Sequence, residues 1–147
     1  MIGLDTSVLV AAAIDGHPLH NEVWKWLREA LDAGETFGIT CGILAEFIHV
    51  VTDSRRFENP LSVEEALEWA HYWGDVNEMI LLHPDDSVSN QWLAWLAEHR
   101  LGRKRLLDTL IAATWRESGI TEICTLNPAD FTIFGTFQIT HLKMQSR

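Results

Sequence analysis

Short apolar runs alternate with longer segments of helical periodicity along this chain. Each run is too short for a helix. It also lacks the alternation of apolar and polar residues that a strand with one solvent-exposed face shows, so the pattern predicts short strands buried on both faces. The strands predicted in this way lie at 1–4, 36–39, 79–82, 120–125 and 137–142.

Local signals mark the ends of the helices predicted between these strands. Pro18 suits a first helical turn, and Gly34 suits a helix end. The segment from Ser62 to Glu65 has the form of a capping box, and Gly119 provides a further stop. Helices are therefore predicted at 18–33, 40–51, 62–73, 87–99 and 106–118, with an apolar helix directly after the first strand.

A chain that alternates strands with single helices or helix pairs is typical of the α/β class. Such connections favour a three-layer α/β/α sandwich with a mostly parallel sheet. Because no linker, repeat or low-complexity tract interrupts the 147 residues of the sequence, one domain is expected over 1–147. A chain of this length folds without needing a metal or disulfide, so any metal is expected to serve chemistry.

Composition narrows the classes of function. The 21 acidic and 11 basic residues give a formal charge of −10, which argues against a general polyanion-binding coat and against a membrane-surface role. A nucleic-acid substrate then requires a local basic patch or bound cations. The two cysteines show no CxxC spacing, and neither a secretory leader nor a membrane-spanning run is visible, so a cytoplasmic protein is expected.

Three acidic residues occupy positions where apolar side chains are expected. Asp5 lies between two apolar runs, Glu46 shares a helix face with Ile43 and Val50, and Asp108 faces the apolar side of its helix. Each residue has an ordinary alternative role: Asp5 as a helix N-cap, Glu46 at the edge of the apolar stripe, and Asp108 as a favourable charge near a helix start.

Acids that converge from several elements favour a metal site. They repel and raise one another's pKa unless a divalent cation joins them, and carboxylate oxygens select Mg²⁺ or Mn²⁺ over Zn²⁺. Ligands of parallel α/β sheets bind at the carboxyl ends of the strands. Asp130, in the turn after the strand 120–125, is therefore a fourth candidate, with an ordinary loop acid as the alternative.

Four motifs in this order resemble those of the PIN-domain ribonucleases, and among them the VapC-type toxins of toxin–antitoxin pairs. The motifs are LDTSVL at 4–9, AEF at 45–47, LDTLIAA at 107–113 and TLNPADF at 125–131. Each motif is weak alone, whereas the ordered set spans essentially the whole chain. The resemblance implies an α/β/α sandwich, a pocket for Mg²⁺ or Mn²⁺, and endonucleolytic hydrolysis of RNA.

The resemblance also implies roles for individual residues. Asp5, Glu46 and Asp108 match the family's three principal acids, which hold the metal, and Thr6 matches the hydroxyl residue after the first acid. Family members often carry an acid where this chain has Asn127, so Asp130 is the candidate for that catalytic role, directly or through water. The departure leaves the number of metal ions open. An RNA substrate, a cognate antitoxin and a homodimer are the implied partners.

Two basic segments are candidates for binding RNA on this acidic molecule. Arg103, Lys104 and Arg105 form the first candidate, and Arg55 with Arg56 forms the second. A solvated charge run at a helix end is the alternative for both segments.

The alternative function is a catalytically silent PIN-like module that binds RNA or a protein partner. A scaffold has no need of inward-facing carboxylates, which argues against that interpretation. The seven tryptophans fit either a core or an interface.

Overall fold

The computed structural model describes residues 1–144, and its five strands form one sheet. The strands are β1 (Ile2–Leu4), β2 (Phe37–Thr40), β3 (Met79–Leu82), β4 (Glu122–Thr125) and β5 (Gln138–His141). Their order across the sheet is β3-β2-β1-β4-β5, and every ladder between neighbours in this part of the chain is parallel. The central strands β1, β2 and β4 are almost wholly buried, as uninterrupted apolar runs predict.

Seven α-helices and one 3₁₀ turn (Arg103–Arg105) connect the strands over residues 1–144. The helices are α1 (Thr6–Ala13), α2 (His20–Asp32), α3 (Cys41–Val51), α4 (Val63–Asp75), α5 (Asp86–Glu98), α6 (Leu106–Glu117) and α7 (Ala129–Thr132). Helix α1 contacts α2 and α3, and α3 contacts α4, while α5 packs against α6 and α6 against α7. The predicted three-layer α/β/α sandwich is confirmed. No helix of the described residues is long and apolar enough to cross a membrane.

Capping residues predicted the start of a helix more accurately than Pro18 did. The Ser62 hydroxyl accepts from the Glu65 N–H while the Glu65 carboxylate accepts from the Ser62 N–H, which completes the predicted capping box. The prediction that a helix starts at Pro18 is wrong. Helix α2 begins at His20 because the preceding residues form turns, with the His20 N–H donating to the His17 carbonyl.

Strand β4 begins two residues later than predicted because Ile120 belongs to the turn that follows α6. The Ile120 N–H donates to the Trp115 carbonyl, and the Gly119 N–H donates to the Arg116 carbonyl. Gly119 adopts φ of 79°, a left-handed conformation that glycine tolerates at a helix end. The apolar side chain of Ile120 is buried at this helix end, and for that reason it resembles a strand residue in sequence.

The close approach of α6 to the sheet depends on the absence of a side chain at Gly3. A Cβ added there would lie 2.8 Å from the indole ring of Trp115, which is fully buried. The same indole donates a 3.1 Å hydrogen bond from Nε1 to the Gly38 carbonyl on β2. Trp115 therefore fixes the position of the helix that carries Asp108.

Adding one methyl group at this contact should destabilise the fold. We expect Gly3→Ala to lower the free energy of unfolding by about 1–3 kcal/mol, because the buried indole must shift or strain. The control is Gly74→Ala in α4, where an added Cβ meets nothing within 4 Å and helix propensity favours alanine. Denaturant unfolding should show a loss of stability for the first variant and none for the second; equal stabilities would contradict the contact.

Candidate active site

A cavity of about 520 Å³ lies where the carboxyl ends of β1 and β4 meet the starts of the following segments. It is lined by carboxylates from four elements, and by hydroxyl and amide groups beside them. The residues that the sequence predicts for the site all line it: Asp5, Thr6, Glu46, Asp108, Asn127 and Asp130. Of the predicted RNA-binding residues, Arg56 lines the cavity, whereas Arg55, Arg103, Lys104 and Arg105 do not.

Local sequence sets where each acid enters the cavity. Helix α3 begins directly after β2 because the Thr40 hydroxyl accepts a 3.1 Å hydrogen bond from the Ile43 N–H, which places Glu46 in the second turn. Asp108 and Asp130 lie in the first turns of α6 and α7. Glu46 and Asp108 are half-buried on the sides of their helices that face the cavity, so neither is an ordinary surface charge.

Asp5 is fixed by two hydroxyl groups. The Ser7 hydroxyl donates to Asp5 Oδ2 at 2.7 Å, and the Thr125 hydroxyl donates to the same oxygen at 2.8 Å. Each hydroxyl also accepts from the backbone, Ser7 from the Leu126 N–H at 3.0 Å and Thr125 from the Asn127 N–H at 2.9 Å. Within residues 1–144 the Asp5 side chain makes no helix-capping hydrogen bond. Its contacts therefore orient the carboxylate and do not cap α1.

Burial raises the pKa of three acids in this cavity, and repulsion between carboxylates adds to the shift for two of them, Glu46 and Asp108. Burial raises the pKa of Asp5 above its usual range, although the Ser7 and Thr125 hydroxyls oppose the shift. The pKa of Glu46 rises to about 6 through burial and the charges of Asp5 and Asp108. The pKa of Asp108 also rises to about 6, through burial and the charges of Asp130 and Asp5. A bound cation would favour the charged form of all three acids.

Arg105 is the basic residue nearest to Asp108 in the predicted RNA-binding run. Its Nε lies 3.8 Å from Asp108 Oδ2, and its Nη2 donates to the main-chain oxygen of Asp130. Arg103 and Lys104 are exposed on the 3₁₀ turn, outside the cavity lining. Arg56 does line the cavity. Contact between RNA and the run 103–105 stays a prediction, and Arg105 has an internal role in holding α7 beside α6.

The donor atoms of the cavity suit a hydrated Mg²⁺ or Mn²⁺ ion. The buried Thr6 Oγ1 makes no hydrogen bond of full geometry with a described residue, but it lies close enough to the Glu46 carboxylate to lower that group's pKa, so this hydroxyl is one of the oxygen donors beside the acids. Among residues 1–144, no three histidine, cysteine, aspartate or glutamate side chains lie close enough together to hold a metal ion between them. Mg²⁺ usually keeps several waters and binds through one or two carboxylates, so an open set of oxygen donors fits it better than a closed cage does.

Sequence reasoning missed four residues around the acids. Ser7 and Thr125 orient Asp5. Ser7 comes three residues after the end of β1, and Thr125 is the last residue of β4, but the sequence does not specify that these two strands are neighbours. His17 and Phe57 line the cavity from loops. No periodicity marks such loop residues, because their positions depend on how the helices pack.

Fold and site together define a nuclease-like domain with acids at the carboxyl edge of a parallel sheet. The chain belongs to the PIN domain family, whose model matches residues 2–132. It is similar to the curated protein Ribonuclease VapC24 of Mycobacterium tuberculosis, with 29% identity over 136 residues, or 92% of each chain. Ribonuclease VapC31 of the same organism is 36% identical over 66 residues, covering 45% of this chain and 46% of that protein.

Solved structures support the same fold. VapBC2 from Rickettsia felis, solved with a DNA fragment from its promoter, aligns with a TM-score of 0.67 at 19% identity, covering 97% of this chain and all (100%) of the other. VapC20 of Mycobacterium tuberculosis, described as a toxin that cleaves the sarcin–ricin loop, aligns with a TM-score of 0.63 at 19% identity over 84% and 87% of the two chains.

Removing one carboxylate should stabilise the metal-free protein. Because the folded-state pKa of Glu46 is raised to about 6, the folded state binds this proton more readily than the unfolded state does. The stability of the wild type in EDTA should therefore rise as the pH falls from about 7 to about 5. Glu46→Gln should be more stable than the wild type at about pH 7, and the difference should shrink as the pH falls, because the wild-type residue then becomes neutral.

Thermal unfolding in EDTA at several pH values measures this difference. Glu29→Gln, at an exposed position of α2, removes the same charge away from the cavity and should leave the melting temperature near that of the wild type. A Glu46→Gln protein that is less stable at neutral pH would show that the carboxylate has a stabilising partner.

Proposed function

We propose that this protein is a Mg²⁺- or Mn²⁺-dependent endoribonuclease that hydrolyses RNA phosphodiester bonds. The observation that carries the proposal is the convergence of Asp5, Glu46, Asp108 and Asp130 on one open cavity. The raised pKa values of the first three acids support it, because clustered carboxylates destabilise a fold that does not use them. Membership of the PIN family and similarity to proteins named VapC ribonucleases support the same reaction.

The chain provides oxygen ligands for the ion and a defined place for the phosphate. Asp5, Glu46 and Asp108 would hold the metal, with Thr6 and Asn127 beside them. When bound, the ion supplies an activated water and neutralises charge that develops on the phosphate. Asp130 lines the same cavity and its charge raises the pKa of Asp108; we propose that it orients water there.

Hydrolysis by water requires that no side chain competes as the nucleophile. Ser7 lines the cavity two residues after Asp5, but its hydroxyl donates to Asp5 and accepts from the Leu126 N–H. Thr125 is engaged in the same way with Asp5 and Asn127. Both hydroxyls therefore position the carboxylate and do not attack phosphate.

We further propose that the protein is the toxin of a type II toxin–antitoxin pair, acting in the cytoplasm. The similar structures include toxin–antitoxin complexes from Rickettsia felis and Haemophilus influenzae, which supports a cognate antitoxin as partner. We also propose that the protein forms a homodimer. Exposed apolar side chains on α5 and at the start of α6, namely Leu93, Leu106 and Leu107, support an interface on that face.

Removing one charge at the proposed metal site should abolish cleavage without unfolding the protein. Asp108→Asn keeps the shape of the side chain and loses its charge, so we expect RNA cleavage with Mg²⁺ or Mn²⁺ to fall by at least about 100-fold. Induced expression of the wild type should arrest growth, and the variant should not. The control is Asp75→Asn, an exposed acid at the end of α4.

Cleavage of an RNA panel, with circular dichroism to check folding, decides between the two functions considered for this chain. Growth arrest that persists in folded Asp108→Asn would mean that binding, and not RNA cleavage, inhibits growth. That result would favour the catalytically silent interaction module.

RNA binding should depend on the exposed cations of the 3₁₀ turn. We expect Arg103→Ser/Lys104→Ser, in the inactive Asp108→Asn background, to weaken RNA binding and to flatten its salt dependence by about 1.4 units of slope, at about 0.7 per lost phosphate contact. Arg105 is left intact because it contacts Asp108 and Asp130. An unchanged slope would indicate that Arg55 and Arg56, and not the 3₁₀ turn, contact the RNA.

The matched control for this measurement removes the same charge elsewhere. Lys25→Ser/Arg28→Ser changes two exposed cations of α2. Fluorescence anisotropy with labelled single-stranded RNA at several salt concentrations should give the wild-type slope for this control.

A further inference from the structure

A second cavity adjoins the acidic one. Its volume is about 660 Å³, within the range of about 300–1,000 Å³ typical of small-ligand sites. His17, Arg56 and Phe57 line both cavities, so the two cavities adjoin at these side chains, and we call the pair the trough. We call the part beyond these three residues the outer cavity.

Hydrogen bonds hold the loops that form the outer cavity. Asp53 Oδ1 accepts a 2.9 Å hydrogen bond from the Arg55 N–H, and the Asp53 carbonyl accepts from the N–H groups of Arg56 and Phe57. On the opposite wall, the His17 N–H donates to the carbonyl that ends α1 at position 14, at 2.9 Å. Both walls are therefore built by local turns, and the trough is formed without a ligand.

The charges of the outer cavity do not suit a phosphate. Arg56 contributes one positive charge, whereas the exposed residues Asp15 and Glu58 contribute two negative charges. The amide of Asn59 adds a donor and an acceptor, and half-buried Phe57 adds an aromatic surface. Carboxylates and amides pair with the exocyclic amino groups of bases, and aromatic side chains stack on base faces.

His17 stands at the boundary between the two cavities with one ring nitrogen free to donate. Its Nδ1 accepts a 3.0 Å hydrogen bond from the Leu19 N–H, so the neutral ring carries its proton on Nε2. Burial, with a smaller effect of the neighbouring His20, lowers the pKa of His17, which favours this neutral form. No described residue receives a hydrogen bond from Nε2. An uncharged N–H donor therefore lies beside the acids and suits a ribose or phosphate oxygen.

We propose that the outer cavity binds the base of a nucleotide next to the cleaved bond and favours bases with an exocyclic amino group over uracil. Phe57 stacks on the base, while Glu58, Asn59 and Asp15 contact its polar edge. His17 positions the same nucleotide through Nε2–H. This inference rests on the proposed function, since it takes the acidic cavity as the place where RNA is cut.

Binding to short homopolymers tests the base preference apart from catalysis. The probes are single-stranded hexamers of adenylate, cytidylate and uridylate, titrated into full-length Asp108→Asn with Mg²⁺. The two amino-bearing hexamers should bind about tenfold more tightly than the uridylate hexamer. Adding Phe57→Leu, which keeps the apolar contact and removes the aromatic face, should weaken binding of all three by about tenfold. Adding Glu58→Ala/Asn59→Ala should equalise the three affinities.

Two control variants separate these effects from general damage. Asn77→Ala/Glu78→Ala removes the same two side-chain types from an exposed turn before β3, and Tyr72→Leu removes an exposed aromatic ring on α4. Neither position lines the trough, so both controls should keep the affinities and the base preference of the parent protein. Melting temperatures of all variants show whether Phe57→Leu folds normally.

The outcomes separate this proposal from the proposed function. Wild-type cleavage of the same hexamers, combined with unchanged affinities in folded Phe57→Leu and Glu58→Ala/Asn59→Ala, would overturn the base-binding cavity and leave the ribonuclease intact. Absence of cleavage with either metal, combined with a base preference that these variants erase, would support the cavity and reject the hydrolase. A protein that binds none of the hexamers would overturn both.

Discussion

The buried carboxylate of Asp5 ties the fold to the site. A charged group at 6% exposure is costly unless polar partners surround it, and here the partners are the hydroxyls of Ser7 and Thr125. The Asp5 N–H also donates to the Cys124 carbonyl, which continues the pairing of β1 with β4 into the site. The same strand pairing that builds the centre of the sheet therefore sets the orientation of the first acid.

Negative charge is concentrated at the cavity that contains Asp5. The molecule has a formal charge of −10, and its acids are concentrated further where four of them face one cavity. Arg105 provides a partial counter-charge at one wall, through Asp108 and the main chain of Asp130. Burial and the charges of Asp130 and Asp5 raise the pKa of Asp108 to about 6 despite Arg105, so this compensation is incomplete and the cavity favours a ligand that brings positive charge.

The sequence was sufficient for the five strands, the six longer helices and the acids. It did not predict α7, the 3₁₀ turn or the surroundings of the acids. Glu46 could be identified because a carboxylate on an apolar helix face breaks a regular pattern. The contact between the Ser7 and Thr125 hydroxyls could not be identified from the sequence, because it depends on β1 and β4 being neighbours in the sheet. His17 lies in a segment whose proline suggested a helix start, and its contribution to the cavity depends on a turn that has no simple sequence signal.

The contact between Asp5 and Thr125 also bears on when the site can exist during synthesis. The two residues are 120 positions apart, so the hydroxyl that completes the Asp5 environment is among the last parts of the domain to leave the ribosome. A nascent chain that ends before β4 has the first acid and the Ser7 hydroxyl, but it lacks the strand that fixes them. Assembly of the acidic cavity is consequently delayed until β4 has been translated.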